Sequence, residues 1–155
     1  MSDESTDPKS IPEHRKMAIE LFNHTWSLID LKQRTPDQID EMIHSAYASS
    51  YHWLRGGEPA NQARGHWQIS RVYVVAERSE PALYHATRCL SLCKEIGLQD
   101  WDLAFGYEAL ARSYSLAGDS AKTKQDLDLA RSVPIEKKEY REPLESDLST
   151  ITISA

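Results

Sequence analysis

The sequence predicts an all-α protein, and three observations carry that expectation. Helix-start and helix-stop signals recur along the chain: Thr35-Pro36 with Gln38, Gly56-Gly57, Gly97, Gly118-Asp119 and Pro134. Composition leans the same way, with plentiful Ala, Leu, Glu and Arg against 6 glycines and 2 phenylalanines. No segment alternates apolar and polar residues with a period of two except the terminal Thr150-Ile151-Thr152-Ile153-Ser154.

The elements follow in order. Residues 1–11 are polar and acidic, with Pro8 and Pro12 as breakers, and are expected to form a disordered tail. A first helix is expected from about Glu13 to Lys32, with Met17, Leu21, Thr25, Leu28 and Leu31 near one face. Thr35 is suited to cap a second, Pro36 to its first turn and Gln38 to a capping box; it runs to about Leu54 and stops at Gly56-Gly57. A third begins after Glu58-Pro59. A fourth starts at Ser79 as cap and carries Ala82, Ala86, Cys89 and Cys93 on one face as far as Gly97. Asp100 caps a fifth that ends at Ala117-Gly118, and Asp119 caps a sixth closed by Pro134. A seventh covers about 136–149. With 155 residues, the segment 12–150 is expected to be a single domain, of a size that buries roughly 70% of its unfolded surface.

Charge is unevenly spread. The net charge of −6 divides into −4 over residues 1–54, +3 over 55–94 and −5 over 95–155. The basic middle, which also holds His66 and His85, is where an anionic ligand would be drawn. Cys89 and Cys93 lie four apart, which holds two helical Cβ atoms poorly for a disulfide. They are expected to be reduced core thiols, as in an intracellular protein, because no second Cys or His pair follows at zinc-ligand spacing. The N-terminus has no signal-like apolar stretch, and no run approaches the roughly 18 apolar residues that span a bilayer. A soluble, cytoplasmic protein is expected, with no membrane partner.

The chain repeats itself at an offset of 41 residues. Tyr107-x-x-Leu110-Ala111-x-x-Tyr114 falls on His66-x-x-Ile69-Ser70-x-x-Tyr73, and Thr123, Leu127 and Ala130 fall on Ala82, Ala86 and Cys89. This pattern of aromatic-x-x-Leu-Ala-x-x-Tyr, a turn, then small-x-x-x-apolar-x-x-Ala resembles the tetratricopeptide repeat. Gly118-Asp119 is similar to the Gly-Asp turn of that family, and Pro134 lies near its closing proline. The spacing exceeds the usual length of about 34 residues and resembles a longer variant. The specific match covers about 63–135; the upstream copy has Glu77-Arg78 in place of Gly-Asp, and a fainter copy places Ile39, Ile43 and Ala46 at the spacing of the second helix. The resemblance implies hairpins at about 13–54, 59–97 and 100–133, with 136–149 as a capping helix, stacked as a right-handed α-solenoid of about seven helices. Small residues such as Ala82, Ala86, Ala111 and Ala130 would let helix axes approach.

In such a stack the first helix of each hairpin lines the concave surface. On the third helix, Arg64, Trp67, Arg71 and Val74 form one stripe, and on the fifth Phe105, Glu108, Arg112 and Ser115 form its counterpart. These match positions that the repeat family uses to hold a peptide. The implied function is therefore an interaction module for a peptide or protein segment with an acidic or carboxylate group. Arg64, Arg71 and Arg112 would pair the charge, Trp67 and Phe105 would supply apolar contact and Glu108 would set polarity. Two other assignments stand beside it. Arg64 and Arg71 could instead pair acidic neighbours such as Glu108, with Trp67 packed between hairpins, or the stripe could be a homodimer contact.

Other classes are less well supplied. Glu41-x-x-His44, with Asp40 and His52 on the same broad face, offers the carboxylate–histidine spacing of helical-bundle metal sites. That makes a metal-binding protein the alternative, with Glu20 and His24 as a weak second half. No metal or cofactor is expected under the main reading. There is no G-x-S-x-G, P-loop or G-x-G-x-x-G, so no catalytic motif is recognised. The acidic chain disfavours nucleic acid, although Trp67 and Tyr73 lie in its basic middle.

Overall fold

The computed structural model describes residues 7–153. Among these residues it has seven helices and no strand: α1 (Ile11–Ile29), α2 (Pro36–Gly56), α3 (Pro59–Val75), α4 (Ser79–Ile96), α5 (Asp100–Ala117), α6 (Ser120–Ser132) and α7 (Lys138–Ser149). The all-α expectation holds, and the end caps explain most boundaries. Thr35 Oγ1 accepts from the Gln38 N–H at 3.2 Å while Gln38 Oε1 accepts from the Thr35 N–H at 2.9 Å, the reciprocal pair anticipated for α2. Asp119 accepts from the Lys122 N–H at 3.1 Å and starts α6. Gly97 and Gly118 close α4 and α5 at φ values of 83° and 81°, left-handed backbone that glycine enters without steric cost.

The differences lie at the ends of α1 and at the starts of α4 and α5, where Asp100, expected as the cap of the fifth helix, is its first helical residue and Gln99 the cap. Ser10 and Ile11, expected within the tail, already belong to the cap and first turn of α1. Ser10 Oγ caps Glu13 N–H at 3.2 Å, Ile11 is already helical, and Pro12 sits in the first turn, where its missing N–H costs nothing. Residues 1–6, the rest of that expectation, lie outside the described residues. The helix stops at Ile29 rather than Lys32, because Arg34 Nη1 donates to the carbonyls of Leu28 at 3.1 Å, Ile29 at 3.2 Å and Leu31 at 2.6 Å. Ser79 is the first helical residue of α4 and Arg78 the cap.

The 41-residue register survives in three dimensions: α5 and α6 begin that far after α3 and α4. The turns agree as well. Asp119 N–H donates to Tyr114 O at 3.0 Å and Gly118 N–H to Ser115 O at 3.1 Å. One register upstream, Arg78 N–H donates to Tyr73 O at 2.8 Å and Glu77 N–H to Val74 O at 3.0 Å. Glu77 therefore occupies the glycine position and takes it at φ 60°, a strained conformation for a residue with a Cβ.

Helix contacts run between consecutive elements, most extensively within α1–α2, α3–α4 and α5–α6. The odd-numbered helices also touch in sequence, α1 to α3, α3 to α5 and α5 to α7. The core is a string of clusters rather than one centre. Leu28, Met42, Ala46, Ile69 and Val72 join α1, α2 and α3. Ala86, Ala109 and Leu110 join α4 to α5. Ala104, Ala111, Leu127, Ala130, Leu144 and Leu148 join α5, α6 and α7. Ala82, Ala86, Ala111 and Ala130 are fully buried, as the small-residue pattern requires. Leu144 and Leu148 dock α7, each burial contributing about 1.5–3 kcal/mol.

Candidate functional site

The site is built on the row of odd-numbered helices. The structure brings the two predicted stripes face to face, since α3 packs on α5. Glu108 is fully buried between them. Its Oε1 accepts from Arg71 Nη2 at 2.9 Å and Arg112 Nε at 2.8 Å, and its Oε2 accepts from Trp67 Nε1 at 3.1 Å. Arg112 Nη2 reaches on to Asp147 O and Thr150 Oγ1, both at 2.9 Å, and Arg71 Nη2 lies 3.6 Å from the Asp147 carboxylate. Ser115 Oγ donates to Thr152 O. The C-terminal end of α7 and the residues after it thus cover this end of the stripe. Burial pushes the Asp147 carboxyl above its ordinary range.

At this end Trp67, Arg71, Val74, Glu108 and Arg112 fill the space between α3 and α5 without room for a water. Arg71 and Arg112 have side chains only 15% and 14% exposed, and both are committed to Glu108. Arg64 differs. It pairs with Asp102 through two bonds, Nε to Oδ1 at 2.9 Å and Nη2 to Oδ2 at 3.0 Å, yet its side chain is 39% exposed. The hydrogen bonds to Asp102 raise the Arg64 pKa further, so it is cationic at any working pH. Three of its five N–H groups remain for other acceptors.

Six aromatic rings cross the row in unbroken contact. Phe22 meets Trp26 at 6.4 Å between centroids, Trp26 meets Trp67 at 5.5 Å, and Trp67 meets Phe105 at 5.7 Å. Phe105 meets Trp101 at 6.2 Å, and Trp101 meets Tyr140 at 6.4 Å. The line therefore spans α1, α3, α5 and α7, with its first five rings half-buried and Tyr140 exposed. The Arg64 guanidinium lies 4.7 Å from the Trp101 ring centroid and that of Arg71 5.4 Å from Trp67, both within cation–π range.

Beneath this line is a cavity of about 90 Å³, lined by Ala63, Arg64, Trp67, Cys89, Cys93, Trp101, Asp102 and Phe105. Both cysteines are buried free thiols, in line with the expectation of reduced core residues. Cys93 donates to Asp102 O at 3.7 Å. Its pKa is lowered, chiefly by its hydrogen bond with Cys89, whose own pKa is raised by the same bond and by burial.

Trp26, Phe22, Trp101, Asp102 and Tyr140 escaped the sequence reading. Trp26 was within reach, because it lies one 41-residue register before Trp67. Asp102 carries no such signal, and Trp101 shows only its spacing of four from Phe105, since Arg64, which pairs with Asp102 and lies over Trp101, stands on another helix.

Of the residues of the metal alternative, His52 lies apart, while His24, Asp40, Glu41 and His44 line one groove. Glu41 Oε2 is 3.3 Å from His24 Nε2, and both side chains are largely exposed. His44 lines the same open groove between α1 and α2. His52 lies apart from them, its Nδ1 2.8 Å from His14 Nδ1, while His14 Nε2 is 2.8 Å from Asp7. Among the described residues no group of three or more His, Cys, Asp or Glu side chains is arranged to hold a metal. A second polar cluster, unforeseen from the sequence, joins α2, α3 and α4. Tyr73 and Tyr47 hydroxyls lie 3.1 Å apart, Tyr47 reaches His85 Nε2 at 2.9 Å, and His85 Nδ1 reaches His66 Nδ1 at 2.9 Å. Burial lowers His66 and holds His85 at about 4, leaving both imidazoles neutral near pH 7.

No helix of the described residues is long and apolar enough to cross a membrane. No protein-family model, no curated protein and no solved structure matches this chain.

Proposed function

We propose that this chain is a tetratricopeptide-like interaction module. It holds a peptide or protein segment that carries an apolar anchor beside a carboxylate, on the concave side of a right-handed stack. The observation that carries this reading is the line of six rings crossing α1, α3, α5 and α7. Half-buried Trp and Phe side chains backed by their neighbours present rigid apolar area at little entropic cost, which is what binding hot spots use. Charge narrows the position. Arg71 and Arg112 both bond the buried Glu108 carboxylate and are covered by α7. Arg64, half-buried over the Trp101 ring, is the cation on which a partner carboxylate would sit.

The test is capture of a partner from source lysate by wild type and by a Trp67→Ala/Trp101→Ala variant of unchanged helicity. The captured segment is then identified and resynthesised with its acidic residues neutralised. Retention by wild type, loss with the variant, and at least about tenfold weaker binding of the neutralised peptide support the reading, tenfold being about 1.4 kcal/mol. Equal retention by both proteins overturns it.

A self-association reading is favoured by a different surface. Tyr51, Leu54 and Tyr84 are 54%, 60% and 59% exposed around the His85 cluster on α2 and α4. Light scattering decides it: a monomer at micromolar concentration excludes a stable homodimer through that face.

A further inference from the structure

We propose that the cavity between α3, α4 and α5 is a binding site for one uncharged aromatic ring. It deepens the reading above, as the seat for the anchor side chain of the bound segment. Its size comes from a mismatch of neighbours. Ala63, Cys89 and Cys93, all buried, form a floor of small side chains under the large Trp67, Trp101 and Phe105. Those walls are braced: Trp67 stands edge-on to Phe105 at 85° and Trp101 edge-on to it at 79°. They do not collapse into the space. A volume of about 90 Å³ is about six times what a single water requires, and because the space opens at the Arg64, Trp101 and Asp102 rim, a six-membered ring can seat there without being wholly enclosed.

The chemistry of the lining selects the occupant. Its polar groups already have partners: Arg64 and Asp102 hold each other through two bonds, and the Cys93 thiol donates to a backbone carbonyl. Among the described residues no buried side-chain nitrogen or oxygen lacks a partner. Water inside would find few bonds, and an ionic guest would have to break the Arg64–Asp102 pair. An apolar ring gives up only its hydration and meets aromatic edges on two sides. The half-buried Arg64, Trp101 and Asp102 form the rim, so a ring entering there leaves its own chain beside the Arg64 guanidinium. That is the geometry of an aromatic residue next to an acidic one.

Fluorobenzene is the probe, titrated into the full chain and followed by ¹⁹F NMR. The expected result is saturable one-to-one binding, displaced by indole and by benzene, with cyclohexylammonium failing to compete. Ala63→Leu, which extends into the space, is expected to weaken it at least about tenfold, or about 1.4 kcal/mol, with helicity and cooperative unfolding retained. Absence of saturable binding to folded wild type overturns the site whether or not that variant folds. A second arm separates this outcome from the fate of the groove. If the partner captured by wild type is released by indole, the ring belongs to the partner. If fluorobenzene binds while capture ignores both indole and Ala63→Leu, the assignment of the cavity to the partner's anchor is wrong, although the aromatic line above it retains its own test.

Discussion

Two polar networks, a buried one around Glu108 and a half-buried one around His85, flank α3 and are built on opposite principles. Around Glu108 the donors and acceptor are fixed by charge: two guanidinium groups and an indole N–H can only donate, and the carboxylate can only accept. Around His85 nothing is fixed. If the Tyr47 hydroxyl donates to His85 Nε2, then His85 Nδ1–H donates to His66; if the proton order reverses, every bond reverses with it. The first network locks α3 to α5 and secures the aromatic line. The second ties α2, α3 and α4 with neutral groups that cost less to desolvate. A charged network is strong when complete and severely penalised when one member is removed; a neutral one degrades in smaller steps.

The predictions follow from that asymmetry, in descending size. Glu108→Ala leaves Arg71 and Arg112 buried beside each other, with Asp147 at 3.6 Å too far to replace both bonds. Denaturant unfolding is expected to record a loss of about 3–5 kcal/mol; a loss under about 1 kcal/mol would mean that the network contributes little.

Next comes pH. His85 has a folded pKa of about 4 against an ordinary 6.5. Between these values the unfolded chain binds more protons, so stability falls as pH drops from about 6.5 to about 4 and levels off below. The size is at most about 3 kcal/mol. Asp126 and Asp147, whose carboxyls are pushed up by burial, act with the opposite sign. The measurement is therefore the difference between wild type and His85→Gln across that range, expected to shrink as pH falls.

Tyr47→Phe removes the hydroxyl shared by Tyr73 and His85 and is expected to cost about 1 kcal/mol by thermal or chemical unfolding. Tyr73→Phe, which removes the terminal hydroxyl bonded only to Tyr47, should stay within about 0.5 kcal/mol. Equal costs for these two would show that the network does not act in the order its geometry suggests.

The two networks also differ in how much of each could be read from the sequence. Glu108, Arg71, Arg112 and Trp67 announce themselves by spacings of three and four along two helices, and the 41-residue register aligns those helices. Helix boundaries were legible for the same local reason, as at Thr35, Gly97 and Gly118. What stayed hidden depends on side chains meeting across helices at separations with no periodic signature. Tyr47 and His85 are such a pair, as are Arg64 with Asp102 and Arg34 with the end of α1. For the same reason the sequence offered both a ligand-facing stripe and arginines paired to Glu108, with no way to place each. Only the packing of α7 and the burial of Glu108 reveal that one end is filled and the other holds a cavity.

The central claim is that the aromatic line of the odd-numbered helices, and not the His85 face, receives the partner. The direct measurement is the affinity of one captured partner for wild type, Trp101→Ala and Tyr51→Ala proteins. The account predicts at least about 2 kcal/mol lost with Trp101→Ala, roughly thirtyfold, and little change with Tyr51→Ala. The reverse pattern would contradict it and place the binding surface on α2 and α4.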